Sequence, residues 1–139
     1  MTLILHAAAT WFMVGLIWTI QSVHYPLFAR VGERSFSAYE AEHTSRMARL
    51  LAVPAGIEVI TGAGLLWFRP ENVGLPLVLV SGALLAVIWI LTLVVHVPHH
   101  QGLEDGMDLP AITRLVQSNW ARTGLWTVRG AIVAGMLTL

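Results

Sequence analysis

The chain has 139 residues, 56% of them hydrophobic and only 12% charged, with a mean hydropathy of +0.70. An ordinary soluble domain carries about 25% charged residues, so this composition excludes a conventional water-facing surface. Net charge is zero, from eight arginines, no lysine and eight acids. No basic patch of the kind nucleic acid requires is present, and nucleic acid is set aside as a partner. Cysteine is absent, so any metal must be held by His, Asp, Glu, Met or backbone oxygen.

Four apolar stretches, residues 3–25, 50–68, 75–97 and 125–139, carry the hydrophobic excess. At about 1.5 Å per residue each of the first three spans a hydrocarbon core of roughly 30 Å, and the fourth does so once 112–124 is added. The first stretch lacks a basic leader and a small-residue cleavage site, and it carries Trp11, Trp18, Gln21 and His24, so it reads as a retained helix, not a signal peptide. The first helix is expected over about 2–26, ending near Tyr25-Pro26. A polar linker with Arg30, Glu33 and Arg34 follows. The second helix is expected over about 37–68, with Ser37 and Glu40 spaced as a capping box. After the turn 71–74, the third is expected over about 74–97, broken at Val97-Pro98. The acidic loop 101–109 then leads to a fourth helix over about 110–138, opened by Pro110. The expected fold is all-α: a single domain, residues 1–139, forming an integral membrane four-helix bundle.

The first and third helices end where the second and fourth begin. That end carries Arg30, Arg34, Arg46, Arg49, Arg114 and Arg122, against Arg69 alone at the other. The positive-inside rule makes it the cytoplasmic end and places both termini outside. The expected location is a bacterial inner membrane, crossed several times, with the lipid bilayer as partner.

Five of the six histidines fall at the same end. His24 closes the first helix, His43 opens the second, and His96, His99 and His100 close the third. Glu40 and His43 have the i, i+3 spacing of carboxylate-bridged di-iron bundles. Imidazole suits Fe, Cu, Zn and Ni, so His24, His43, His96, His99 and His100 are the expected metal ligands. Iron is the first choice, copper and zinc the others, and Glu40 is a further ligand or an acceptor for a ring N–H. A repeat supports a concerted site. His24-Tyr25-Pro26 echoes His96-Val97-Pro98, with Trp18 and Trp89 upstream, and His43-x-x-Arg46 echoes Asn119-x-x-Arg122. The chain therefore reads as two helical hairpins related by an axis along the membrane normal. Arg46, Asn119 and Arg122 would stand beside the histidines to orient substrate, with Gln21 sharing the face of His24. Arg122, Trp126 and Arg129 fall on one face of the fourth helix and would suit an anionic or quinone-like headgroup. Glu58 and Arg129 lie deep in their helices, where charges are usually paired, and form the expected structural ion pair.

The segment His96-Val97-Pro98-His99-His100 resembles the H-x-x-H-H box of membrane fatty acid desaturases and related hydroxylases, one of three boxes in those di-iron enzymes. Glu40-x-x-His43 and His24 are the only stand-ins for the other two, in a much shorter chain. In size and helix number the chain is also similar to the anthrone-oxygenase-like group. His6, Trp11-Phe12 and Tyr25-Pro26-Leu27-Phe28 resemble the helix 1 pattern of the haem-dependent protoporphyrinogen oxidase family. No catalytic role is carried over from these groups. The expectation is a metal-dependent oxidoreductase acting on a lipophilic small molecule at the cytoplasmic face. One alternative is a haem b redox protein with two axial histidines. Another is a small transporter or structural bundle, in which a homodimer would be needed for a solute path and His6, Glu58 and Arg129 could pass protons.

Overall fold

Four helices account for nearly the whole chain in the computed structural model, which describes residues 1–139. They are α1 (Thr2–Phe28), α2 (Glu33–Phe68), α3 (Leu75–Glu104) and α4 (Leu109–Thr138). There is no strand. Short connections make neighbours antiparallel, so the ends of α1 and α3 meet the starts of α2 and α4. The first three helices are long and apolar enough to cross a membrane by length and composition. The fourth is 30 residues long but is interrupted by Arg114, Arg122 and Arg129, so three helices meet that standard where the sequence leads one to expect four.

Two helices run past their expected ends for the same reason. In α1 residues Ile20–His24, and in α3 residues Thr92–His96, form a single π-helical turn. The Tyr25 N–H reaches back to the Ile20 carbonyl and the Val97 N–H to the Thr92 carbonyl. A proline ring strikes the carbonyl four residues earlier in an α-helix. For Pro26 and Pro98 those carbonyls belong to Ser22 and Val94, which lie inside the widened turns. The helices therefore continue, α1 to Phe28 and α3 to Glu104, where a break at Val97-Pro98 was expected. Each π turn ends on a histidine, His24 or His96, and such turns are frequent at functional positions.

The start of α2 also differs from expectation. It begins at Glu33 with Gly32 as an extended cap and no side-chain cap bond, so Ser37 lies inside the helix. Packing sets this start: Phe36 is fully buried in a cluster with Phe28, Leu103 and Leu115. Glu40 is consequently free for another role. Only α4 has a side-chain cap, where Asp108 accepts from the Ala111 N–H at 3.2 Å.

Two further clusters fill the bundle, one around Trp126, Ile17 and Ile88 and one around Leu65, Val78 and Met136. The α1–α4 seam is close at Gly130, where a Cβ would stand 2.9 Å from Val14 Cγ2. Gly15 has open space in the Cβ direction. Overpacking a fitted seam costs about 1–3 kcal/mol. Gly130→Ala is therefore expected to lower the thermal midpoint in detergent while Gly15→Ala leaves it equal or raised; equal behaviour of the two variants would show that this seam is loose.

Candidate functional site

The polar residues of the bundle separate into two layers. The deeper one is built around Glu58 of α2 and Arg129 of α4, both fully buried and in direct ion-pair contact. Arg129 also donates to the Ser81 carbonyl of α3 at 3.1 Å, to Thr10 Oγ1 of α1 at 3.1 Å, and to His6 Nε2 of α1 at 2.9 Å. Thr10 in turn donates to Glu58 at 2.9 Å. A guanidinium only donates, so His6 Nε2 is the acceptor. The ring proton then sits on Nδ1, which faces Thr61 Oγ1 at 2.9 Å. Gly62 makes room for this ring: a Cβ there would stand 3.0 Å from His6 Cε1. Trp126 is buried in the core with the Arg129 guanidinium 5.6 Å from its ring centre.

The second layer lies where α1 and α3 end and α2 begins. His24 Nε2 and His43 Nδ1 are 2.8 Å apart. His100 Nδ1 contacts Glu40 Oε1 directly, and His100 Nε2 is 2.8 Å from the Tyr25 hydroxyl. With Glu40 ionised, His100 donates from Nδ1 and accepts the Tyr25 proton at Nε2. The carboxylate fixes the ring and its tautomer, as carboxylates do for metal-binding histidines. The ring centres of His24 and His43 are 4.7 Å apart and those of His43 and His100 5.3 Å. Tyr39 lies parallel to His43 at 6.5 Å, and the Phe28 ring stands edge-on to His43 at 5.1 Å. Three helices thus deliver His24, His43 and His100 to one buried cluster. As the side chains stand, no three His, Asp or Glu groups converge on one point able to hold a metal ion, because His100 is turned to Glu40 and Tyr25.

The remaining expected site residues are distributed differently. His96 is buried and lines a cavity of about 450 Å³ between α2 and α3, together with Tyr25, His43, His100 and Arg122. It makes no hydrogen bond to the cluster, and its Nδ1 is buried without a partner. His99 stands edge-on to His96 at 6.4 Å, and its Nδ1 is buried without a partner. His99 makes no contact with the His24–His43–His100 group. Arg46, expected beside the histidines, is exposed and paired to Glu42 one turn away at 2.5 Å. Its place on the outer face of α2 follows from that i, i+4 pairing.

Gln21 and Asn119 bond to each other across the α1–α4 seam. Gln21 donates to the Val116 carbonyl at 3.2 Å and accepts from Asn119 Nδ2 at 2.9 Å, which ties α1 to α4. Asn119 Oδ1 accepts from Arg122 Nη1 at 3.1 Å, so the amide pair positions Arg122. Trp126, expected at a headgroup, is enclosed in the core and assigned to Arg129. Tyr25, Tyr39 and Thr123 are the site residues that sequence reasoning missed. Tyr25 follows His24 directly, and Tyr39 stands one turn from His43, so proximity to the histidines was the available signal.

No family model matches the chain, and comparison with curated proteins and with solved structures returns no match.

The deep layer has a direct test. Removing one partner of a buried ion pair costs about 3–5 kcal/mol, whereas replacing both by apolar residues is often neutral. Arg129→Met is expected to lower stability by that amount and Glu58→Leu/Arg129→Met to recover most of it, read from denaturant or thermal unfolding in detergent. A double variant no better than Arg129→Met would show that the wider network, not the uncompensated Glu58 charge, sets the loss.

Proposed function

We propose that the chain is a multi-pass protein of a bacterial inner membrane and a metal-dependent oxidoreductase for a lipophilic small molecule, with its metal held at the cytoplasmic face by His24, His43 and His100. The outer surface supports insertion. Ile4, Val53, Ile60, Trp67, Val94 and Leu93 are each more than 60% exposed, on all of the first three helices. Soluble monomers rarely carry contiguous apolar patches beyond a few hundred Å². The fourth helix fits the same picture, because Arg122 and Arg129 are buried inside the bundle and do not meet lipid. The arginine asymmetry orients the histidine layer toward the cytoplasm and both termini outward. The two π turns, each closing on a histidine before an X-Pro step, support the reading as two related hairpins.

The observation that carries the metal proposal is the contact between His24 Nε2 and His43 Nδ1 at 2.8 Å. At that distance one ring N–H donates to the other nitrogen, and loss of the shared proton would leave two imidazole nitrogens from two helices able to hold one ion. His100 Nε2 is the third donor, its ring held from behind by Glu40, and its contact with Tyr25 would be given up or shared. Imidazole donors suit iron, copper and zinc alike, and iron is the choice for oxidation of a lipophilic substrate. Bound there, the metal would supply redox chemistry beside the apolar cavity. The chain's own part is to hold the imidazoles, keep the Glu40–His100 proton in place and exclude bulk water through Phe28 and Tyr39. The same 2.8 Å contact disfavours haem on this pair, since axial nitrogens on opposite sides of one iron stand about 4 Å apart.

Elemental analysis of gently purified protein is expected to give roughly one Fe, Cu or Zn per chain. His24→Ala, His43→Ala and His100→Ala should each lose it, while His99→Ala keeps it. Wild-type protein with far less than one equivalent of Fe, Cu, Mn and Zn, or His99→Ala losing as much metal as His43→Ala, would overturn the assignment. An intense haem absorption band would shift the reading to haem.

A further inference from the structure

The two buried arginines of α4 differ in one respect that points to a ligand. Arg129 faces a carboxylate. Arg122 has none within 4.0 Å, although it is more than nine-tenths buried. Nη1 donates to Asn119, the Tyr25 hydroxyl lies against the guanidinium, and Nε is buried with no partner. Nε is thus left free on the edge that, with Nη2, forms a fork able to grip a planar carboxylate with two parallel bonds.

That fork lines the 450 Å³ cavity between α2 and α3. Trp89 Nε1, His96 Nδ1 and Arg122 Nε, three of the seven buried polar atoms that lack a partner, belong to residues of its wall. The rest of the wall is graded. Gln101, Glu104 and Thr44 lie at the end where the histidines stand, while Leu51, Ala55 and Trp89 line the deeper part. Leu51 and Trp89 pack on the cluster of Trp126, one helical turn further into the bundle than Arg122. Ala52, Leu93 and Val97 are exposed on the outer face, so the cavity opens sideways between the helices. Its volume is in the range of pockets for one small molecule, well short of a two-chain lipid.

We propose that this cavity binds a single-chain lipophilic carboxylic acid, its carboxylate on the Nε–Nη2 edge of Arg122 and its chain running inward along Leu51, Ala55 and Trp89. The acid enters sideways between α2 and α3, with its head at the level of the histidines and its chain toward the middle of the bundle, which is how such a molecule lies in a bilayer. Uncompensated buried charge is costly, and the acid supplies the counter-charge that the chain omits. The inference deepens the proposed function by naming the class of lipophilic substrate, and rests on that reading only for the acid's being a substrate.

The test is binding of labelled palmitate to the full-length protein in uncharged-lipid nanodiscs, measured as purified and after chelation. Charge-assisted bonds of this kind lead one to expect a rise in Kd of about 10- to 100-fold for Arg122→Gln and a smaller rise for Arg122→Lys, which keeps the charge and loses the fork. Arg49→Gln, at an exposed arginine of the same end, should bind as wild type. Hexadecanol should compete poorly, and so should hexadecyl phosphate and two-chain phosphatidic acid. Ala52→Phe, which fills the side opening from an exposed position, should weaken binding even if Arg122→Gln proves too unstable to assay. Palmitate binding unchanged in Ala52→Phe or in a folded Arg122→Gln, hexadecanol competing as well as palmitate, or either phosphate binding more tightly than palmitate would overturn the proposal. Metal without palmitate binding would remove this inference and leave the metal site. Palmitate binding in metal-free wild type, with no metal recovered on purification, would do the reverse.

Discussion

The Glu58–Arg129 ion pair decides how the four helices can be assembled, because neither charge can be left alone in an apolar interior. Arg129 satisfies itself with groups from all three other helices: Glu58 of α2, Thr10 and His6 of α1, and the Ser81 carbonyl of α3. Hydrophobic packing alone would leave helix rotation and depth weakly defined, since much of each helix surface is similarly apolar. The directional bonds of one guanidinium remove that freedom. Once Arg129 is placed, α4 is fixed in rotation, and Arg122, seven residues earlier, must lie on the same side of the helix. The Gln21–Asn119 bond then repeats the restraint about three turns away by tying α1 to α4.

The histidine layer depends on this in a second way. With the helices locked deep in the bundle, a cavity remains between α2 and α3 toward the histidine end. The π turns in α1 and α3 matter at the same level. Each inserts one extra residue into a helical turn, which re-aims the histidine that closes it and lets the chain pass a proline without stopping. His24 and His100 reach His43 and Glu40 because both helices continue beyond the positions where a plain α-helix would have broken. Had α3 ended at Val97, His100 would lie in a loop, with no carboxylate to hold its ring.

Much of this could be seen in the sequence, for a physical reason that also marks where it stopped. The four helices are written in hydrophobicity, and the pairing of Glu58 with Arg129 follows from depth alone. The gathering of histidines at one end follows from topology. What could not be seen was rotation about the helix axis. Arg46 and His43 are three residues apart, close enough to share a side, yet Glu42 draws Arg46 to the outer surface. His99 and His100 are adjacent, yet His100 meets Glu40 and Tyr25 while His99 stands against His96. Gln21 meets an amide of α4 while His24 meets His43 of α2, a division of directions that sequence spacing does not reveal. The π turns were invisible because an X-Pro step is as good a signal for a helix end as for a widened turn. The Ser37–Glu40 spacing misled for a related reason: a capping box is a local preference, and burial of Phe36 outweighed it.

The contrast between Arg122 and Arg129 is the feature that joins fold to function. They occupy the same helix and the same face, and both are removed from water. One is met by a buried acid, a hydroxyl, a carbonyl and an imidazole. The other is met by an amide and the Tyr25 hydroxyl, has no acid beside it, and borders a cavity with its Nε unpartnered. A guanidinium needed only for packing would be better served by an apolar side chain of similar volume, since Gln21 and Asn119 already join α1 to α4 without it. The position of Arg122 therefore makes sense as half of an interaction. Its other half is an oxoanion arriving from the cavity, beside imidazoles that the same helix ends have brought together.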